Sequence, residues 1–118
     1  SIKRKTFSVI KSYYQDFLTL QGLKPGKKED EVRIPLQRQQ TTAFMNIFRL
    51  LGLFYSHEDI RKAYQNLKTG TPDAVAYAVE MLDNTLKKDL RDLILPLIED
   101  LSSSEREKKF RQLIKNLD

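Results

Sequence analysis

The sequence predicts an all-α protein built as a short right-handed α-solenoid, a stack of helical hairpins with about six helices. Apolar residues recur three and four positions apart along most of the chain, which is the spacing of one helix face. Glycine and proline are scarce, with 4 of each in 118 residues, so a fold with many tight turns is not expected. The apolar pattern also recurs at an offset of 46 residues, and repeats of this length made of helix pairs are typical of solenoids.

The first helix is predicted over residues 3–21. Phe7, Ile10 and Tyr14 share one face at helical spacing. Gly22 follows this pattern, and glycine readily adopts the left-handed conformation that closes a helix. The first helix should therefore end there.

A polar loop over residues 23–31 should precede the second helix, which is predicted over residues 34–53. Pro35 would then lie in the first turn, where its missing N–H leaves no hydrogen bond unmade. The apolar face of this helix comprises Leu36, Ala43, Phe44, Ile47, Phe48 and Leu51.

The third and fourth helices have clear start and stop signals. Ser56 is a good N-cap for the third helix, and Gly70 is a suitable stop. Thr71 then offers a capping hydroxyl, followed by Pro72 at the first helical position. The fourth helix should end at Asp83 and Asn84, which are typical turn residues.

The last two helices are predicted over residues 86–100 and from Ser104 onward. Pro96 lies inside the fifth and should kink or loosen it, because proline removes a backbone hydrogen bond. Glu107, three residues after Ser104, would complete a capping box at the start of the sixth helix.

Two successive helices match in one register when the sequence is shifted by 46. One helical hairpin cannot bury its apolar stripe alone, so a true repeat implies that neighbouring hairpins share a core. Ser56 also falls on Ser102, which brings two helix starts nearly into register. The matching apolar pairs are Leu36 and Leu82, Phe44 and Leu90, Ile47 and Leu93, Phe48 and Ile94, Leu51 and Leu97, Tyr64 and Phe110, and Leu67 and Leu113.

Residues 43–101 resemble HEAT repeats, and more narrowly a bacterial HEAT-like module. Residues 60–70 are similar to the first helix and stop of that unit. Ala78–Leu86 is similar to the pattern A-x-E-x-L-D-N-x-L, and Leu90–Asp100 resembles the ending L-R…L-P-L-L-E-D. The resemblance implies an armadillo-like α–α superhelix, in which Asp83 and Asn84 turn the chain between two helices.

The resemblance also implies a domain organisation and a setting. Residues 1–118 would form one HEAT-like domain, with a divergent N-terminal cap region over residues 1–42 and better-matching repeats over residues 43–118. In the family, such modules are extensions of membrane proteins related to nucleotide transporters and major-facilitator carriers. A cytoplasmic location, tethered to the inner membrane through the rest of the polypeptide, would follow.

The residues that catalysis and metal binding usually require are scarce. There is no cysteine, and His57 is the only histidine, so a zinc site is not expected. Neither a phosphate-binding loop nor a dinucleotide fingerprint is present. The acidic residues near the C-terminus alternate with lysine and arginine, which is typical of a solvated helix surface. We expect neither an enzyme nor a cofactor or metal.

The net charge of +5 arises entirely in the first third of the chain. Residues 1–40 contain nine Lys or Arg and four Asp or Glu, whereas residues 41–118 contain twelve of each. A solvated surface accounts for this pattern, and so does a footprint for an anionic partner. The candidate contacts for such a partner are Lys3, Arg4, Lys5, Lys24, Lys27 and Lys28, together with the tyrosines Tyr13 and Tyr55.

The sequence favours a non-catalytic scaffold that docks a protein partner or a neighbouring domain of the same polypeptide. The alternative is a helical repeat that binds DNA or another nucleic acid through the basic first third. A third hypothesis is contact of the two lysine clusters with an anionic membrane surface. The pattern does not indicate an oligomeric state.

Leu93→Ala and Leu97→Ala should each lower the free energy of unfolding by about 2–5 kcal/mol, because each removes a large side chain from the shared core. Urea unfolding followed by circular dichroism measures the change. Two changes near zero would place the fifth helix outside the core.

Overall fold

The computed structural model describes residues 1–117, which form six α-helices and no strand. The all-α prediction is confirmed. The helices are α1 (Ile2–Gly22), α2 (Lys27–Leu51), α3 (His57–Thr69), α4 (Pro72–Thr85), α5 (Lys88–Ile98) and α6 (Ser103–Leu117). None of them combines the length and the apolarity that crossing a membrane requires.

Each helix packs mainly on its neighbours in the chain, and α6 also packs on α1, so the main contacts form a closed cycle. In a solenoid, equivalent helices of successive hairpins stack, so α1 would pack on α3 and α3 on α5. Those pairs are absent from the main contacts within residues 1–117. The predicted open solenoid is therefore not confirmed, and the buried apolar residues of all six helices form one core cluster.

The 46-residue repeat is present in part. α3 and α6 begin 46 positions apart, and three of the matched pairs are buried on both sides. The match fails at Leu36 and Leu82. The segment that the offset pairs with α2 is divided between α4 and α5, whereas α2 itself is continuous. The sequence offset thus corresponds to a shift of three helices, from α3 to α6. The predicted boundary between residues 42 and 43 lies inside α2.

Phe110 closes the ring between α6 and α1. Its side chain is fully buried, and the Tyr14 ring stacks on it with centroids 4.3 Å apart. Phe17 meets the same ring edge-on at 5.0 Å. Aromatic pairs at these distances stabilise a fold beyond the area they bury. The first and last helices are thus joined by a compact aromatic cluster.

Tyr14 also ties α1 to α5. Its hydroxyl donates a hydrogen bond to the backbone carbonyl of Leu93, and both residues are buried. A buried phenol needs such a partner, because an unsatisfied polar group in a core is destabilising. Burial raises the pKa of the Tyr14 phenol well above its ordinary value of 10.0.

Both ends of α3 and the start of α4 follow the sequence signals. Ser56 Oγ accepts from the N–H of Asp59 at 3.3 Å, and Gly70 closes α3 with a φ of 75°. Thr71 Oγ1 accepts from the N–H of Ala74 at 3.3 Å. Both N-caps and the glycine stop are confirmed.

The prediction for the start of α2 is wrong. The helix begins at Lys27 rather than near residue 34, so Pro35 lies inside it and not in its first turn. Glu29 and Asp30 occupy the first turn, where acidic side chains interact favourably with the helix dipole. Pro35 is exposed, so water can hydrogen-bond the carbonyl that its missing N–H leaves without a helical partner.

The prediction for the α4–α5 turn is also wrong. Asp83 and Asn84 lie inside the last turn of α4, and the chain turns at Leu86 and Lys87. The side chain of Leu86 is buried, which holds the turn against the core. Pro96 lies inside α5, as predicted, two residues before the helix ends at Ile98.

The capping box of α6 lies two residues earlier than predicted. Ser102 Oγ accepts from the N–H of Glu105 at 3.1 Å, and the Ser102 N–H donates to Glu105 Oε1 at 3.1 Å. These bonds lower the pKa of the Glu105 carboxyl. Three consecutive serines left the register ambiguous in the sequence, whereas Ser102 is the residue that the 46-residue offset pairs with Ser56.

Ser102→Ala should lower the free energy of unfolding by about 1 kcal/mol, because it removes the acceptor for a helix N-terminal N–H. Ser104→Ala is the matched control and should change it by less than about 0.5 kcal/mol. Urea titrations of both variants compare them. A larger loss for Ser104→Ala would contradict the observed register.

Tyr14→Phe should change the alkaline stability profile. The folded-state pKa of Tyr14 lies above its unfolded value, so its contribution is fully present below about pH 10 and is lost as pH rises further. Above pH 10 the wild type should therefore lose stability faster than Tyr14→Phe, by up to about 1.4 kcal/mol per pH unit. Urea unfolding between about pH 8 and pH 11 measures both slopes.

Tyr77→Phe is the control for that comparison, since Tyr77 is 53% exposed. It removes a hydroxyl that is not buried, so the free energy of unfolding at neutral pH should stay within about 0.5 kcal/mol of the wild-type value. At neutral pH, Tyr14→Phe should itself cost about 1 kcal/mol for the lost hydrogen bond. Parallel profiles for wild type and Tyr14→Phe would contradict the burial of this phenol.

Candidate interaction surfaces

The six basic residues predicted as contacts form two separate groups. Lys3, Arg4 and Lys5 lie in the first turn of α1, whereas the other three lie beyond its C-terminal end and at the start of α2. All six are exposed. About 20 helical residues separate the groups, which corresponds to roughly 30 Å. The fold therefore does not join them into one basic patch.

The first group is partly neutralised by α5. Lys3 Nζ lies 2.5 Å from Asp89 Oδ2 and 5.7 Å from the centroid of the Phe7 ring. The hydrogen bond from Lys3 lowers the pKa of the Asp89 carboxyl. Both charged side chains are about half exposed, so this ion pair contributes little to stability.

The two tyrosines predicted as surface contacts are partly buried and pack against the core. The Tyr13 ring lies 6.2 Å from that of Phe44, and burial raises the pKa of its phenol. Tyr55 Oη accepts from the N–H of Lys87 at 3.0 Å, which fixes the α2–α3 loop against the start of α5. Both rings thus have structural contacts, which sequence periodicity did not reveal.

A small apolar crevice opens between α2 and α3. It encloses about 170 Å³ and is lined by Met45, Phe48 and Tyr64, with Arg49, His57 and Arg61 around it. Arg61 is held by Glu58, whose Oε1 lies 2.5 Å from its Nη2. This volume is smaller than the roughly 300–1,000 Å³ of a typical ligand pocket. His57 is exposed at the first turn of α3, as the sequence predicts.

A larger groove, termed here the α4 groove, runs along α4 beside the α5–α6 connection. It encloses about 790 Å³. Its floor is apolar, and Val75 and Val79 in it are half-buried while Ala76 is exposed. The apolar side chains that line it are Val75, Ala76, Val79, Ile98 and Leu101, with Gly70 and Pro72 at one end.

Four carboxylates line the same groove: Glu80, Asp83, Glu99 and Asp100. The side chains of Glu80, Glu99 and Asp100 have no hydrogen bond or ion pair within the described part of the chain, and Asp83 lies 3.8 Å from Arg91. The acidic character of the groove is local, in contrast to the net charge of +5 on the chain as a whole.

Among the described residues, Arg106 is the one basic residue that lines the α4 groove. Its guanidinium donates hydrogen bonds to backbone carbonyls. Its Nη1 donates to the carbonyl of Pro96 at 2.5 Å, and its Nη2 donates to the carbonyls of Glu99 and Leu101 at 2.8 and 3.3 Å. A cation at the C-terminal end of α5 also interacts favourably with the helix dipole. Arg106 thus shapes the wall of the groove.

Sequence reasoning did not identify the α4 groove. The sequence places Asp83, Glu99 and Asp100 on a solvated and paired helix surface, since lysine and arginine are interleaved with these acids. The closest signal in the sequence is the presence of three alanines among residues 74–78, which favours close approach of a neighbouring helix. Ala78 is buried in the core, whereas Ala76 faces the groove.

Within residues 1–117, no group of three or more His, Cys, Asp or Glu is placed to hold a metal ion. Comparisons with protein-family models, with curated proteins and with solved structures gave no match.

Proposed function

We propose that this domain is a non-catalytic protein-interaction module and that the α4 groove is its docking surface. The observation that carries the proposal is an apolar floor open to solvent on a domain whose core is otherwise closed. Open apolar surface rimmed by polar groups is typical of protein-binding sites.

The core does not need every residue of this floor. Val75 is not among the apolar side chains that pack against the core cluster. Within the described residues, no buried side-chain nitrogen or oxygen lacks a hydrogen-bond partner. A partner that covers the groove would remove apolar surface from water, which stabilises a complex by about 25 cal/mol for each Å² buried.

The resemblance of residues 43–101 to HEAT-like modules supports the same proposal, because such modules serve as docking surfaces. The cytoplasmic setting beside a membrane-protein host remains part of this proposal. The HEAT-like architecture is also part of this proposal. The sequence register of α2–α3 against α5–α6 favours it, whereas the contact between α1 and α6 does not. The groove, rather than an open superhelix, is the stronger support for an interaction role.

Nucleic acid is the weaker alternative. The basic groups lie roughly 30 Å apart along α1, and Lys3 is paired with Asp89. Tyr13 and Tyr55, which could stack bases, are occupied by core contacts. The same separation weakens the proposal of one anionic membrane footprint.

Val75→Asp should abolish capture of a protein partner without unfolding the domain, because it places a charge on the groove floor. Val32→Asp is the matched control: it makes the same change at an exposed valine on α2, outside the groove. Chemical cross-linking in a cell lysate, followed by mass spectrometry, would compare both variants with the wild type. Circular dichroism would check their folding.

The proposal requires a partner that the wild type and Val32→Asp retain and Val75→Asp loses. Equal capture by all three proteins would contradict the groove as the docking surface. Turnover of a substrate by the purified domain would contradict the non-catalytic role.

A further inference from the structure

We propose that the α4 groove binds a basic amphipathic helix of a protein partner. This inference rests on the proposed interaction function and adds the chemistry of the partner. Three properties of the groove support it: its length, the side chains of its floor and the charge of its rim.

The length of the groove fits a short helix. Its lining extends along α4 from Pro72 to Asp83. At 1.5 Å per residue this distance is roughly 17 Å, or about three helical turns. A partner helix of about 11 residues would span it.

The floor suits helix packing. Val75 and Val79 are four residues apart and form a ridge along α4, with Ile98 and Leu101 on the other side of the groove. Ala76 is small, so the backbone of a second helix can approach α4 closely. Apolar residues of the partner at helical spacing would lie in the grooves between these side chains.

The rim selects for positive charge. Glu80, Glu99 and Asp100 have no ionic partner within residues 1–117, and the guanidinium of Arg106 is engaged with carbonyls. Lysine and arginine can lay their aliphatic stems along an apolar floor and direct their charge to a rim of carboxylates. The same rim repels acidic peptides, nucleic acids and anionic lipids.

The test uses the whole domain and three synthetic peptides of about 14 residues, a length that covers the groove. The first peptide has leucines at helical spacing and lysines elsewhere. The second has glutamate in place of each lysine. The third is the first peptide with two central residues replaced by proline, which prevents a helix. Fluorescence anisotropy measures affinity, and amide chemical shifts locate the binding surface.

We expect the lysine peptide to bind at least about tenfold more tightly than either of the others, with affinity falling as salt rises. Its shift changes should map to α4 and the α5–α6 connection. Glu80→Lys should weaken binding roughly fivefold, because it reverses a rim charge.

Glu31→Lys is the matched control for Glu80→Lys. It produces the same change in net charge at an exposed position of α2, outside the groove. It should leave the affinity within about twofold of wild type, since screening confines the effect to nearby charges. Circular dichroism of both variants would exclude unfolding.

Several results would overturn the inference. One is binding of the glutamate or the proline peptide as tight as that of the lysine peptide. Another is equal weakening by Glu80→Lys and Glu31→Lys, and a third is chemical-shift changes outside the groove. Self-association of the domain that Glu80→Lys abolishes would assign the groove to a second copy instead. If no peptide binds while cross-linked partners are still lost in Val75→Asp, the helix inference fails and the interaction function stands.

Discussion

The arrangement of this domain depends on the cluster that Phe110 forms with Tyr14 and Phe17. The cluster joins the last helix to the first, and the Tyr14 hydroxyl extends the junction to the Leu93 carbonyl in α5. Without it, consecutive hairpins would have only their sequence neighbours to pack on, as in a solenoid. The aromatic junction makes the contact pattern a closed cycle and gives the domain one core.

The contacts between helices also explain where apolar surface remains for a partner. The apolar stripe of α1 is covered by α2 and α6, so the aromatic residues of the first helix face inward. α4 contacts α3 and α5, and Val75 and Ala76 on its remaining side are left to the groove. Arg106 holds the opposite wall by binding the carbonyls at the end of α5. The groove is thus a consequence of how α4 and α5 meet.

The charge distribution acquires a different meaning in three dimensions. The excess of lysine and arginine in the first third suggested a single basic footprint, but the length of α1 places its two groups at opposite ends. The sequence interpretation placed the acids from Asp83 onward on a paired helix surface, yet Glu99 and Asp100 line one apolar groove and have no ionic partner within residues 1–117. Linear charge counts do not show which charges become neighbours.

The sequence by itself determined the helical class, both ends of α3, the start of α4 and most buried faces. These follow from helical spacing, N-caps and a glycine stop, which act over a few residues. It failed where local signals compete: Pro35 is tolerated inside α2, Asp83 and Asn84 remain helical, and three adjacent serines offered more than one cap. Only the tertiary structure decided the closed ring, the separation of the basic groups and the α4 groove. These depend on contacts between residues distant in sequence, such as Tyr14 with Leu93, which no local pattern encodes.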